Sequence, residues 1–516
     1  MAIYIDKDMV SDIDNIPSEV FKYLIKKHQA ELGRYQKLYD YYIGRHKIFI
    51  QDADDTEKIR VNSNYAKYTT DIALGYYLGE PVKYNGSSDK KKKISLNNGV
   101  EAAVKNGSVR LYDESDSGKA DISRYLDILN NQTISEIDAK IGKYIGIFGS
   151  TYELEYANGE EHPEPRSAVY DPRNVIMVRD NTVEHNKLFT IIYEIQEDLT
   201  EHKYFSVTVY TDHNSKQYKS NDLNNFIFNE IPESEKEHYF GEVPVVEYQN
   251  NDERQGDYEQ VIPLIDGLNE LLSDRVTDKK KFVNSLLALY GITLEEDDIK
   301  ILAKERFLDG IPLDAKIEYI QKVFEESSMN ILCNDIIREI HKMTLTVDMT
   351  DENFAGNSSG QALMLKLMTM NMLVKNKMRS FEKGLKKRFQ MYNTWLSTKG
   401  EMPQIDKNEL DVVFTVSMPV DKQQVVQMIV QLQDIVDDKT LLSQLWFIKD
   451  VDEVLAAVKK QKEEKQKQYM DSFKENGDTE NLNNYEEEND EQVINHGKVL
   501  GKQTDRTGKA DTGQNR

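Results

Sequence analysis

Two groups of acidic residues are the strongest candidates for chemistry in this sequence: four consecutive carboxylates at 295–298, and the set Asp348, Asp351 and Glu352. Carboxylate oxygens bind divalent metal ions, and two-metal nucleases use such groups to cleave phosphodiester bonds. Neither group has the spacing of a calcium-binding loop, and the nine histidines show no paired metal-binding spacing. The sequence therefore favours a solvated helix face for the first group and a loop cap for the second, without a metal.

The motifs of nucleophilic and nucleotide chemistry are absent as well. The sequence has no Gly-x-x-x-x-Gly-Lys-Ser/Thr loop, in which backbone amides cradle the phosphates of a nucleotide. Its one cysteine, Cys333, lies on the apolar face of a predicted helix without an activating neighbour. We therefore expect no catalytic residue, no cofactor and no enzymatic activity.

One predicted helix, at 361–396, carries an excess of positive charge. Its cations outnumber its single acid, Glu382, by eight to one, which gives a local charge of +7. Such a helix can face a polyanion, or it can dock on acidic parts of its own or a neighbouring subunit. The cations are Lys366, Lys375, Lys377, Arg379, Lys383, Lys386, Lys387 and Arg388.

The whole chain is strongly acidic: its 516 residues include 66 basic and 90 acidic ones, a formal net charge of −24. Sequence-independent DNA binding depends on clustered Lys and Arg, so any DNA contact is expected to be local. The single cysteine excludes an intrachain disulfide and fits synthesis in a reducing cytosol. The start lacks a signal-peptide pattern, and no apolar run approaches the ~18 residues that cross a bilayer, so we expect no membrane association.

Hydrophobic periodicity predicts the elements that position these residues. The predicted helices cover 18–43, 61–84, 257–290, 295–304, 329–345, 361–396 and a terminal cluster at 421–470. Alternating residues between about 150 and 250, among them Phe205, Val207 and Val209, predict strands, as does the segment 315–320. Residues 471–491 carry nine acids against Lys474, so the tail 471–516 is expected to be disordered. The fold class is α+β, mainly helical.

Four segments, in order, resemble the portal proteins of tailed double-stranded DNA bacteriophages of the siphophage type. The two most specific are EVPVVEYQNNDERQGDYEQVIPLIDGLNELLSDRVTDKKKF at 242–282 and DMTDENFAGNSSGQALMLKL at 348–367. The others are VNSNYAKYTTDIALGYYLGEPVKY at 61–84 and KTLLSQLWFIKDVDEVLAAV at 439–458. The resemblance spans roughly residues 20 to 470.

The resemblance implies a portal fold in a ring-forming subunit. It has a wing, stem helices, a small α/β clip, a tunnel loop with a long helix, and a helical crown. The implied parts are a wing at 1–255, stem helices at 256–290 and 323–346, a clip at 291–322, a tunnel loop at 347–360, the tunnel helix and its return to the wing at 361–420, the crown at 421–470 and the tail at 471–516.

The resemblance also implies a function and partners. A portal ring, usually of twelve subunits, sits at one vertex of the virion capsid and passes double-stranded DNA during packaging and ejection. Its expected partners are the terminase large subunit, then the head-completion adaptor, and the major capsid and scaffolding proteins. The ring would seed procapsid assembly in the host bacterial cytoplasm.

Candidate site residues follow from the same resemblance. The tunnel loop that faces DNA would contain Asp348, Thr350, Asp351, Glu352, Asn353, Phe354, Gly356, Asn357, Ser358 and Ser359. The basic contacts of the tunnel helix would be Lys366, Lys375, Lys377 and Arg379. The clip would meet the motor and the adaptor through Glu295, Glu296, Asp297, Asp298, Lys304 and Arg306.

Two other classes of protein stay open at this point. A cytosolic helical adaptor would use its long helices to bind other proteins and would be a monomer or a dimer. A metal-dependent DNA-processing enzyme would use the acidic groups as metal ligands and would cleave plasmid DNA. The four ordered segments favour the portal over both.

Overall fold

The computed structural model describes side chains in most of the chain up to residue 416. The described residues are 2–10, 16–50, 57–86, 120–197, 199–221, 228–283, 326–349 and 367–416, together with the backbone of strands at 94–96, 100–105, 108–111, 286–290 and 316–320, residue 365, and short stretches between 427 and 464. The chain divides into two units, Met1–Met418 and Pro419–Arg516.

Helices and strands alternate irregularly along the chain. Up to the first long β-rich stretch the elements are β1 Ala2–Ile5, α1 Ser18–Tyr42, α2 Tyr65–Leu78, β2 Lys83–Gly86, β3 Ile94–Leu96, β4 Val100–Lys105, β5 Ser108–Leu111, α3 Ser123–Asn131 and α4 Ile134–Phe148. The strands that follow are β6 Ser150–Ala157, β7 Pro165–Tyr170, β8 Val175–Asp180, β9 Lys187–Glu197, β10 Lys203–Tyr210, β11 Asn214–Ser220, β12 Asn229–Glu230, β13 Lys236–Glu237 and β14 Val245–Gln249. The remaining elements are α5 Ile262–Val283, β15 Leu286–Tyr290, β16 Lys316–Ile320, α6 Glu326–Thr344, α7 Met368–Thr398, β17 Leu410–Val413 and, in the second unit, α8 Asp438–Leu442.

The largest sheet has the strand order β1-β8-β9-β10-β11-β12, with β13 also paired to β11. The alternation at 205–209 is confirmed, because Phe205, Val207 and Val209 are buried while the residues between them are half-exposed. One face of α1 covers the same core through Phe21 and Leu24. Strand β1 was not predicted, and it pairs in parallel with β8.

A second sheet, of order β14-β6-β7, packs with α2, α3, α4 and α7 around the largest core cluster. The sequence did not predict α3 or α4. Helices α2 and α4 approach closely, since a Cβ at Gly142 of α4 would lie 2.4 Å from Leu78 and 2.8 Å from Leu74. Any larger residue at 142 would therefore force the ends of the Leu78 and Leu74 side chains to move.

The helix predicted from 257 to 290 is wrong at both ends. A 3-10 turn precedes α5, which begins at Ile262 and ends at Val283, and Leu286–Tyr290 forms a strand antiparallel to Lys316–Ile320. A five-residue apolar run is compatible with a buried strand or a helix, so periodicity alone could not separate them. The strand predicted at 315–320 is confirmed, and the acidic helix predicted at 295–304 lies outside the described residues.

The other long helices agree with the periodicity. The helices predicted at 18–43, 61–84 and 329–345 correspond to α1, α2 and α6, and the long basic helix corresponds to α7. Within the helices that the structure describes, none combines the length and apolarity needed to cross a membrane. The chain is a mixed α+β protein.

Candidate functional site

The basic helix α7 is the centre of the candidate site, and its apolar stripe fixes which of its charges are buried. Met370, Val374, Phe381, Leu385 and Phe389 are all buried in the main core cluster. They recur at helical spacing, so the residues between them on the same face are buried too. The opposite face is exposed and carries a different set of side chains.

Arg388 lies on the buried face and pairs with two acids there. Its guanidinium is fully buried and donates from Nε to Glu153 at 2.9 Å and from Nη2 to Asp138 at 2.8 Å. The hydroxyl of Tyr84 donates to Asp138 at 3.0 Å, and that of Tyr248 donates to Glu153 at 2.7 Å. Burial alone would lower the pKa of Arg388, but the charges of Asp138 and Glu153 raise it well above its usual value.

A third carboxyl, Glu155, lies beside this pair and has no cation of its own. It accepts a hydrogen bond from the Ser167 hydroxyl at 2.6 Å, and Ser167 also bonds to the Tyr392 hydroxyl at 2.8 Å. Burial, and then the charge of Glu153, raise the pKa of Glu155 well above its usual value. One guanidinium therefore faces three buried acids, and burial beside Glu153 favours the protonated form of Glu155.

The structure contradicts the prediction that Lys377 faces DNA. Its side chain is 2% exposed, and its ammonium lies 2.5 Å from Asp257, which also accepts a hydrogen bond from Asn250 at 2.9 Å. Lys377 follows Val374 by three residues and precedes Phe381 by four, so the helical period places it in the buried stripe. The same spacing in the sequence could have identified Lys377 as a core residue.

Several cations of α7 therefore dock on acids of their own subunit, which was one of the two interpretations of the basic helix. Lys377 pairs with Asp257, Arg388 with Asp138 and Glu153, Lys387 with Glu242 at 3.3 Å, and Lys386 with Glu382 in the same helix at 2.6 Å.

A second set of α7 cations has no such partner. Lys375, Arg379 and Lys383 are exposed, and none of them forms an ion pair with any carboxylate in the part of the chain that the structure describes. They recur every four residues and so lie along one face of the helix. These three cations are available to an anionic partner.

The segment before α7 begins at a packed hinge. Helix α6 ends at Thr344, and Leu345 has a φ of +56°, a left-handed conformation that L-residues other than Asn and Asp seldom adopt. The His341 ring contacts the edges of Tyr65 and Tyr68, each with centroids 5.8 Å away, and its Nε2 lies 3.8 Å from Asp348. Burial lowers the pKa of His341, whereas the negative charge of Asp348 acts to raise it.

Most of the predicted loop and clip residues cannot be placed. Asp348 is half-buried at the hinge. The remaining predicted loop residues from Thr350 to Ser359, the helix residue Lys366, and the clip residues Glu295, Glu296, Asp297, Asp298, Lys304 and Arg306 lie outside the described residues. Cys333 is buried, as expected. Within the described residues, no group of His, Cys, Asp or Glu is arranged to hold a metal ion.

Helix α5 is held by an extended strap, residues 57–64, that the sequence did not reveal. The backbone amides of Ile59, Val61 and Ser63 donate to side-chain oxygens of Thr277, Ser273 and Asn269, at 2.9, 2.9 and 2.8 Å. Every second residue of the strap therefore bonds to every fourth residue of α5. Two extended residues rise by nearly the same length as four helical residues, so the strap amides stay opposite the side-chain oxygens of the helix.

Sequence reasoning also missed the acids that α7 binds. Glu153 and Glu155 alternate with Tyr152 and Leu154 in β6, a pattern that normally marks a solvent-facing edge of a strand. Here both faces of β6 are buried, because α7 covers the carboxylates and supplies Arg388. Only the juxtaposition of β6 with α7, which are more than 200 residues apart in sequence, reveals this pairing.

Comparison with known proteins places this arrangement in a family. The family model described as "Phage portal protein, SPP1 Gp6-like" matches residues 21–468, which begin within the first turn of α1 and include α2 to α8. The portal protein of Bacillus phage SPP1 is 22% identical over 438 residues, which cover 82% of this chain and 79% of that protein. The chain belongs to the SPP1 Gp6-like family of phage portal proteins.

Proposed function

We propose that this portal protein forms a closed ring of twelve subunits at one vertex of the capsid. Double-stranded DNA would pass through the centre of the ring during packaging and ejection. The observation that carries the proposal is the family match, which runs from α1 through the stem helices and α7 to residue 468.

The stem and the clip give the ring its docking ends in this proposal. Helices α5 and α6 would form the stem, and the strand pair β15–β16 would belong to the clip together with the residues between its strands. The clip would contact the terminase large subunit during packaging and the head-completion adaptor afterwards. The major capsid and scaffolding proteins would contact the outer part of the ring, which would seed the procapsid in the host cytoplasm.

The charge of the chain suits a conduit in which DNA must slide. A net charge of −24 repels phosphates and avoids the deep, sequence-independent binding that a basic channel would give. The segment 348–359, which follows the His341 hinge, is the proposed constriction around the DNA. Lys375 and Arg379 stay candidates for an anionic partner, and Lys377 is removed from that set.

The first test is the assembly state of the purified protein. Light scattering should give about twelve times the subunit mass of 59.8 kDa, and negative-stain images should show rings with a central hole. A protein that stays monomeric or dimeric at high concentration and at several salt strengths would contradict the ring and would favour a helical adaptor.

The second test concerns enzymatic activity. The family is structural, and we propose that this member has no catalytic activity of its own. Metal-dependent cleavage of plasmid DNA by the pure protein would contradict this and would favour the DNA-processing alternative.

A further inference from the structure

The exposed face of α7 is apolar near its beginning and basic further along. Met368 and Met372 are 49% and 53% exposed, and Lys375, Arg379 and Lys383 continue the same face toward the C-terminus. Single exposed apolar residues are ordinary, but two methionines one turn apart on a face without a partner favour a protein contact. A phosphate backbone would neutralise the cations and leave the methionines in water.

Helix α6 presents a second face of matching chemistry. Ile331 and Leu332 are 63% and 46% exposed near its beginning, and Asp335 and Glu339 follow them on the same side. The opposite side of α6, with Cys333 and Ile340, is buried together with residues of α1 and α5. Within one subunit α6 packs against α5 and α2, whereas α7 packs against α2, α3 and β14, so neither exposed face covers the other.

We infer that the exposed face of α7 packs on the exposed face of α6 of the neighbouring subunit; this rests on the proposed ring. A closed ring needs two different and complementary surfaces on each subunit, because every contact is head to tail. The pair α7 and α6 supplies such surfaces from described residues alone.

The spacing of the two faces fits when the helices run in the same direction. Lys375 and Arg379 follow Met372 by three and seven residues, and Asp335 and Glu339 follow Leu332 by three and seven residues. Alignment of Met372 with Leu332 therefore places Lys375 opposite Asp335, and Arg379 opposite Glu339. Packed helices lie 8–10 Å apart, a distance that these long side chains span.

The carboxylates of α6 are not committed to strong contacts within the subunit. Asp335 pairs with Arg338 at 2.7 Å and Glu339 with Lys342 at 3.1 Å, each three residues along the same helix. Arg338 and Lys342 are more than 70% exposed, and pairs of this kind contribute little to stability. Exchange of these partners for Lys375 and Arg379 therefore costs little, while the apolar residues beside them become buried.

The experiment is a charge swap read by the assembly state. The variants K375E/R379E and D335K/E339K should each lose rings in light scattering and negative stain while keeping the wild-type circular dichroism spectrum. The four-fold variant that combines them should recover rings. The matched control is K22E/K26E, which reverses two exposed cations of α1 that are also four residues apart and unpaired within the described chain.

The outcomes distinguish α6 of the neighbouring subunit from DNA phosphate as the partner of the α7 cations. Rings of undiminished stability in K375E/R379E would overturn the inference, and a loss of packaged DNA in the same rings would identify the anion as phosphate. Failure of the four-fold variant to recover rings would overturn the pairing as well. If the wild-type protein forms no rings, the proposed function fails, and a second measurement still tests the contact.

That measurement is a disulfide between two differently substituted proteins. A mixture of D335C and K375C subunits under mild oxidation should give a cross-linked heterodimer by mass spectrometry. A mixture of D335C with K26C should not, because α1 is not part of the proposed contact. Absence of the first product, or equal yields of both, would overturn the inference.

Discussion

The two faces of α7 both carry Lys and Arg, but on one face these cations are buried and on the other they are exposed. On the buried face, Arg388 and Lys377 are neutralised by acids from α4, β6 and the segment before α5. On the exposed face, Lys375, Arg379 and Lys383 have no carboxylate partner in the described chain. The local charge of +7 therefore includes two sets of cations. One set forms ion pairs that stabilise the subunit, and the other remains available to a partner.

The comparison also shows how an acidic protein can hold buried cations. Ionised groups enter a core only when they are paired, because desolvation of a lone charge is costly. The buried face of α7 gives Arg388 two carboxylates and two tyrosine hydroxyls around them. The exposed cations stay hydrated and need no such arrangement.

The largest effect is expected from loss of the Arg388 guanidinium. Arg388→Met leaves Asp138 and Glu153 buried without a cation, so the free energy of unfolding should fall by about 3–5 kcal/mol. Urea denaturation followed by circular dichroism measures it. A triple variant that adds Asp138→Asn and Glu153→Gln removes the stranded charges and should recover most of the loss; a single variant as stable as wild type would contradict the buried pairing.

Loss of the Lys377 ammonium should have the next largest effect. Lys377→Met leaves Asp257 as a buried carboxylate without its cation, and we expect a loss of about 3 kcal/mol by the same measurement. The matched control is Lys375→Met, two residues away on the exposed face, which should change stability by less than about 0.5 kcal/mol when both variants are measured below the concentration of assembly. Equal effects of the two changes would contradict the division of α7 into two faces.

The raised pKa of Glu155 predicts that the free energy of unfolding depends on pH. Because the native pKa of Glu155 is raised, its contribution to stability is complete below the usual pKa of 4.5 and is lost as pH rises toward the native value. As pH rises above 4.5, the wild-type protein should lose stability from this group, by at most about 1.4 kcal/mol per pH unit. Glu155→Gln, which is neutral at every pH, should lack this part of the slope, and parallel pH profiles would contradict a raised pKa of Glu155.

The smallest effect on stability is expected on the exposed face. K375Q/R379Q removes two hydrated cations that have no partner within the described subunit, so unfolding of the monomer should change by less than about 0.5 kcal/mol. Chemical denaturation at a protein concentration below that of assembly measures it. A loss as large as that of Lys377→Met would show that these cations stabilise the subunit itself.

Local pattern predicted most of the long helices, missed α3 and α4, and predicted the charged core poorly. The spacing of Phe21, Leu24 and their neighbours predicted α1, and the alternation at Phe205 predicted β10, because in both elements one face is buried and one is hydrated. Lys377 could also have been placed from its spacing to Val374 and Phe381. Glu153 and Glu155 could not, since an acid in a strand is expected to face water.

The strand at 286–290 illustrates a different limit. Its residues LLALY form a short apolar run next to a long helical pattern, and the sequence extended the helix through it. Pairing with 316–320, which begins 26 residues later, decides that it is a strand. The segment 315–320 shows the alternation of a strand, but nothing within 286–290 itself records the hydrogen bonds that it makes with this distant partner.

By itself, the sequence determined the elements that bury one face, the acidic character of the chain and, through four ordered segments, the family. Those properties depend on side-chain chemistry and local spacing, which can be read residue by residue. Only the tertiary structure decided which charges of α7 are internal, because neutralisation of Arg388 and Lys377 requires acids from α4, β6 and the segment before α5 to meet one helix face. Hydration is the default state of a charge, and only a folded chain can supply the partners that replace it.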